Sequence, residues 1–448
     1  MTVLSSQVNS KAGTGLLEFT QGLDVDALLF EQEIKVQKAW ARALAKAAYL
    51  TEEESSEAVK GLEEARQLII DGQFPWRIED EDIHMNLERF LTDKSGSLGK
   101  KIHYGRSRND LIATTLRLYV SQSLGEVHSN INELGEEIKQ QALNWMKTLI
   151  PGMTHLQYGQ PIRFGHIISA YAYQFNRDLK RISNAQQSCL DALPLGAAAF
   201  AGTHLSVDLN ELKNELGFNS VLNHSYDAIG DRDFILESLN AFSIVAVHLS
   251  RFCEEIMFWS SSPIGVLNLP PSYSTGSSIM PNKRNPDVPE LIRAKMGRVI
   301  SLASEGQIIV KAVTPSYGTD LHELKRTFVL SLQELQSSLN IFKPFLNGLE
   351  INEPKAAALL NSGHVLATEI SNTLVEQGFT FREAYQQSAR LVEQAQESKK
   401  QVHQTLSHEF SDQISFEKAV ETKCNTGGTA KATALDAINK LDFKTNLL

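Results

Sequence analysis

An all-α architecture, with an elongated central five-helix bundle flanked by two small helical domains, is predicted by three features. Five long segments carry apolar residues three or four positions apart, shorter helical patterns lie on either side of them, and strand patterns are scarce. The first segment, "LFEQEIKVQKAWARALAKAAYL", residues 29–50, reads as a helix. Thr51 then precedes Glu54 by three positions, a capping box in which hydroxyl and carboxylate satisfy each other's backbone N–H groups and start the next helix. From Ile112 the apolar positions continue through Leu116, Val120, Leu124, Val127, Ile131, Leu134, Ile138, Ala142, Trp145 and Leu149, until Pro151-Gly152 stops the pattern. At ~1.5 Å per residue such a helix extends roughly 55 Å. Segments 164–191, 231–260, 286–313 and 319–349 behave alike, and from Glu353 the patterns shorten, with a polar "CNTGGTAKAT" break before the last. The expected division is residues 1–106, 107–352 and 353–448.

A formal charge of −10 without a long basic run argues against a surface that binds nucleic acid through phosphates, so any anion site is local. Cys189, Cys253 and Cys424 are far apart and in no metal-like spacing; an odd, sparse set fits a reducing compartment, and cytoplasm is the expectation. The stretch "MTVLSSQVNSKAG" has no apolar signal core, and no apolar run reaches the ~20 residues of a bilayer span.

Three polar segments at the ends of long helices are candidates for chemistry. In "HYGRSRND", residues 103–110, Ser107, Arg108, Asn109 and Asp110 offer a guanidinium, an amide and helix N-terminal N–H groups to a carboxylate or phosphate; an ordinary capped helix start reads the same. In "GMTHLQYGQPIRFGH", residues 152–166, Thr154 and His155 follow the Pro-Gly break, so the imidazole projects from a turn, as either a proton carrier or a hydrogen-bonding residue. In "STGSSIMPNKRNPDVPE", residues 274–290, Gly276 and a Ser pair leave the backbone free to move, beside the cation of Lys283 and the amide of Asn285. A closing substrate loop and a plain surface loop share that composition. No GxxxxGK[ST] occurs, "GAAAFAG" from Gly196 lacks the context of a dinucleotide site, and neither HExxH nor a cysteine pair offers a metal site. Nothing calls for a cofactor or a metal.

Together, "GRSRND", "THLQ" followed by "QPI", and "GSSIMPNKRNP" resemble the three signature regions of the aspartase/fumarase superfamily, and specifically its argininosuccinate lyase family. "EDIHMNLERFL", "ALPLGAAAFAGT", "DAIGDRDFILESL", "PDVPELIRAKMGRV" and "TGGTA" extend the likeness from about Asp26 to the C-terminal region. The resemblance implies a homotetramer with a large helical core and each active site assembled from three subunits. It also implies reversible, cofactor-free β-elimination of argininosuccinate to arginine and fumarate. By position, Ser277 matches the family's loop serine, the base once the loop closes; His155 matches the histidine exchanging a proton on the other side, and Glu290 its carboxylate partner. The reverse assignment of base and acid stays open. A neutral serine is a poor base, so Ser277 needs its alkoxide stabilised by loop N–H groups and a helix N-terminus.

Lys283 and Asn285 match the carboxylate holders; Ser107, Arg108, Asn109 and Thr154 correspond to succinyl-side contacts. On the arginine side Asp26, Tyr317 and Lys325 keep their places, whereas the family's Gln position is His322, its nearby Ser position is Gly22, and the "WGGRF" motif is absent. Arg232 is a further candidate for local positive potential. These departures keep open a sister lyase releasing fumarate from a different N-succinyl amine. A non-catalytic scaffold of the lens-crystallin kind is the third alternative, and it predicts lost catalytic positions, which are all present here.

Overall fold

The computed structural model describes residues 15–407, 410 and 412–443; the N-terminal stretch read above as lacking a signal core lies outside them up to Thr14. The fold is helical, and its five long helices are Arg108–Asn144, Phe164–Cys189, Asp233–Ser260, Asp287–Val310 and Asp320–Asn347. Each coincides with an expected segment, because an apolar stripe of period 3.6 buries itself only on a helix. The chain divides into two compact units, Met1–Val127 with Arg181–Ser243 and Val299–Gln333, and His128–Lys180 with Ile244–Arg298 and Glu334–Leu448.

The first unit centres on an apolar core around Trp40, Leu44, Leu62, Leu87, Leu91 and Leu111. Helix Phe30–Lys46 supplies Trp40 and Leu44, and the capping box appears as expected: Glu54 N donates to Thr51 Oγ1 and Thr51 N to the Glu54 carboxylate, both at 3.1 Å, starting helix Glu52–Ile70. Asp82 starts helix Ile83–Ser95 by accepting from Met85 N at 2.9 Å.

In the second unit, helices Ala367–Glu376 and Phe381–Glu397 pack on a core that includes Leu366, Ile370, Leu374 and Ala384. One expected helix is shorter than its pattern. It stops at Asn144 rather than 149, and Leu149–Thr154 instead pairs antiparallel with Gln157–Arg163. The reason is local packing. Gly165, at the start of the next helix, comes so close that a Cβ there would lie 2.1 Å from Ala142 O and 2.9 Å from Met146 N, and Gly165 N and Phe164 N donate back to Trp145 O and Thr148 O. These bonds hold residues 145–148 as a turn and launch the hairpin.

Among the described residues one helix, Asp233–Ser260, has the length and apolarity of a membrane span, whereas no such run was expected from the sequence. Half of its most apolar window is buried in the protein, with Phe242, Leu249 and Phe252 fully enclosed, as in a core helix.

Candidate active site

The expected site residues fall into two sets, one in each unit. In the first unit, Ser107, Arg108, Asn109, Tyr317 and His322 line one cavity of about 570 Å³. The helix beginning at Arg108 brings the first three there. Its start is fixed by Asp110, whose carboxylate accepts from Ser107 N at 2.9 Å and, through its other oxygen, from Gly196 N at 3.0 Å and Ala198 N at 2.8 Å. Burial pushes the Asp110 carboxyl up to about 6, with the three N–H donors opposing it. Asn109 Nδ2 donates to Ala199 O at 3.0 Å and Asn109 N to Ser107 Oγ at 3.3 Å, so the "GRSRND" turn and the 196–202 loop are one hydrogen-bonded unit.

Arg108 is held by two acids from the run at 79–82: Glu81 at 3.2 Å, and Asp82 in close contact. Behind them, buried Glu33 lies 2.7 Å from His84 and accepts from Gln37 and Thr115, both at 2.7 Å. Burial opposes the charge on both Glu33 and His84, but their mutual attraction prevails, holding the carboxyl below its ordinary range and the imidazole above its own. The cavity's own His103 is different: burial and the Arg106 charge push it down to about 4, so it is neutral near pH 7. The carboxyl of Glu88, also lining the cavity, is pushed above its ordinary range by burial.

A second cluster adjoins this cavity. Lys325 and Asp26 form an ion pair between side chains only 5% and 4% exposed. One helical turn earlier, His322 Nε2 lies 2.5 Å from the Tyr317 hydroxyl, while its Nδ1 faces Gly22. Gly22 N donates to Glu81 O at 3.4 Å, tying this corner to the acids that hold Arg108. Arg232 is fully buried beside Tyr317; Nη1 donates to Ile229 O and Asp231 O, whereas Nε and Nη2 have no partner among the described residues.

The second unit carries Thr154, His155, Ser277, Lys283, Asn285 and Glu290. His155 sits in the two-residue turn of the hairpin, and both His155 and Leu156 are left-handed, with φ of 56° and 58°. Non-glycine residues adopt this conformation at a cost, here enforced by the Thr154–Gln157 pairing, and His155 is exposed at the turn. In the 274–290 loop, Thr275-Gly276 pairs with Arg284-Asn285, closing the intervening residues into a compact excursion. Within it Ser277 Oγ accepts from Met280 N at 3.0 Å and Ile279 N at 3.3 Å. Asn285 Nδ2 donates to Thr275 Oγ1 at 3.3 Å, while Lys283 and Glu290 are exposed. Among the described residues no hydrogen bond or ion pair joins the hairpin turn to this loop.

Sequence reasoning assigned no role to Glu81, Asp82, Glu33, His84 or Glu88. The available signal was the acid run Glu79-Asp80-Glu81-Asp82 preceding "IHMN".

Residues 8–301 match the Lyase family model, more than half of the chain, and place it among the lyases. Residues 364–426 match the argininosuccinate lyase C-terminal model. A relative described as argininosuccinate lyase, from Lawsonia intracellularis, is 37% identical over 97% of this chain and 96% of its own. Another, from Nitratidesulfovibrio vulgaris strain Miyazaki F, is 40% identical over 85% of this chain and 82% of its own. Among solved structures, EDDS lyase in complex with formate superimposes with a TM-score of 0.79 at 22% identity, covering 97% of this chain and 90% of that one, a likeness of fold. The chain belongs to the argininosuccinate lyase family.

Proposed function

We propose that the protein cleaves argininosuccinate reversibly to L-arginine and fumarate by β-elimination, in arginine biosynthesis. The observation that carries this is near-full-length similarity, 37% over 97% of the chain, to a relative of that name. The chemistry must remove a weakly acidic proton beside a carboxylate and stabilise the aci-carboxylate that forms, before the guanidinium nitrogen leaves. Ser277 is the proposed base. Two backbone N–H groups already point at its oxygen, the arrangement that lowers the cost of an alkoxide. His155, with Glu290 as its carboxylate partner, exchanges the proton on the other side. Lys283 and Asn285 hold the reacting carboxylate; Ser107, Arg108, Asn109 and Thr154 contact the succinyl part, and Asp26, Tyr317, His322 and Lys325 the arginine part.

The proposal includes a cytoplasmic homotetramer with sites shared between subunits, and the three-part division at 106/107 and 352/353. Exposed Leu291 and Ile308 on helix Asp287–Val310, 62% and 59% accessible, support a further apolar contact for that helix. The test is fumarate release from argininosuccinate by purified protein, together with a panel of other succinyl amines. Turnover of argininosuccinate is the expected result; its absence beside rapid turnover of another succinyl amine supports the second reading, a sister lyase, which the departures at Gly22 and His322 keep open.

A further inference from the structure

The hairpin that carries His155 does not hold its shape unaided. A two-stranded ribbon is marginal in water, and this one contains Pro151 and Pro161, which donate nothing to the ladder, and Gly152 and Gly159, which pack no side chain. Its turn adds the cost of two consecutive left-handed residues, His155 and Leu156. The conformation that presents the imidazole is therefore maintained from outside the hairpin. Within the second unit, C-terminal elements grip the strand Gln157–Arg163 along its length.

At the end remote from the turn, Arg163 is 1% exposed. Its Nη1 donates to Met146 O at 3.0 Å, and its Nη2 donates to Glu417 at 2.7 Å and to Glu421 in close contact. These two acids stand four positions apart on helix Phe416–Glu421, on one face, and neutralise a cation that is shut away from water. Arg163 N donates to Thr429 Oγ1 at 3.1 Å. Thr429 belongs to "TGGTA", a segment the proposed chemistry leaves without a role. Its glycine pair folds it tightly: Gly427 has a φ of 81°, and a Cβ on Gly428 would lie 2.0 Å from Lys423 O. Nearer the turn, Tyr158 lies against Gly363, where a Cβ would stand 2.3 Å from the ring. Between these anchors Gln160 Nε2 donates at 3.4 Å to Glu369, which also pairs with Lys423 at 2.8 Å.

We infer that Glu417, Glu421 and Thr429 are positioning residues for His155: by clamping Arg163 they fix the strand whose turn presents the imidazole. This rests on the proposed function for the role of His155 in proton exchange. At ~3.3 Å per residue the strand spans roughly 20 Å, so a tilt of about 3° at Arg163 moves the turn by about 1 Å. A misplacement of that size at a reacting group costs up to about a hundredfold in rate.

The test is steady-state fumarate release from argininosuccinate by the full-length protein, with hydrogen exchange of the amides of residues 149–163 followed by mass spectrometry in the same preparations. The double variant Glu417→Gln/Glu421→Gln, and separately Thr429→Val, are expected to lower kcat by about tenfold to hundredfold, with KM within about threefold, and to speed exchange in the hairpin. Thr429→Ser keeps the accepting hydroxyl and is expected to retain both wild-type kcat and slow exchange. In a His155→Asn background the same clamp substitutions are expected to lower the residual kcat by less than about twofold, because the group they position is gone. A clamp that served stability alone would lower the melting temperature and leave the kcat of the folded protein in place. Unchanged kcat in both clamp variants, or their full loss persisting beside His155→Asn, overturns the inference. Absence of fumarate release from argininosuccinate by the wild type instead overturns the proposed reaction, and exchange then decides the inference by itself: an unchanged rate in the hairpin overturns it and a faster one sustains it.

Discussion

Separating Asp26 from Lys325 is expected to cost far more than breaking an ion pair on the surface. Both side chains are nearly excluded from water, so a charge left without its partner keeps its desolvation penalty and loses its compensation. Removing one member of such a pair costs about 3–5 kcal/mol. An exposed pair such as Lys38–Glu63, with side chains 25% and 51% accessible, contributes about 0–1 kcal/mol. In Asp26→Asn the ammonium of Lys325 faces an amide. Burial, with the Arg326 charge adding to it, pulls this lysine down to about 8 from its ordinary 10.5. Between those values the folded state holds fewer protons than the unfolded state, so the variant's stability rises with pH across that window; below about 8 the penalty is complete.

Chemical denaturation at one protein concentration, at about pH 7 and about pH 9.5, measures this for the wild type, Asp26→Asn, Lys325→Met and the double variant. Each single variant is expected to lose about 3–5 kcal/mol at the lower pH, and the double variant less than their sum. Asp26→Asn is expected to recover at the higher pH by more than the wild type, which keeps the carboxylate that favours the ammonium, and the two variants without Lys325 lack this recovery. Single losses under about 1 kcal/mol, or additive losses in the double variant, would refute the account of a buried, mutually dependent pair.

Ser277→Ala removes the oxygen to which Ile279 N and Met280 N donate, and the loop is exposed enough for water to replace it. The expected outcome is turnover lowered by about 10²–10⁴-fold with unchanged helical content; activity within tenfold of wild type removes Ser277 from the mechanism. Gly165→Ala places a methyl where Ala142 O already stands, so the start of one helix must move from the end of another. A loss of about 1–3 kcal/mol in denaturation is expected, and an unchanged midpoint would show that this close approach is relaxed at little cost.

Much of the architecture was legible in the sequence because helix packing writes itself locally. The recurrence from Ile112 to Ala142 and the Thr51–Glu54 cap each involve residues within a few turns of one another. The polar segments at 103–110, 152–166 and 274–290 were legible as candidates for the same reason, since Gly, Pro and Ser interrupt a strong period. The hairpin was not. Its strands contain Pro151, Gly152, Gly159 and Pro161, which obscure alternation, and it forms because Gly165 lets the next helix press against residues 142–146.

The environment of each site residue was decided by contacts the chain order conceals. Asp26 meets Lys325, Gly22 opens beside His322, and Glu33 lies beneath His84, each pair joining separate elements. The sequence alone determined which segments are helices and which residue types stand at their ends, since side-chain period and capping act over one or two turns. Tertiary structure decided which charges are buried and where space remains, since desolvation and electrostatic coupling depend on distance in space.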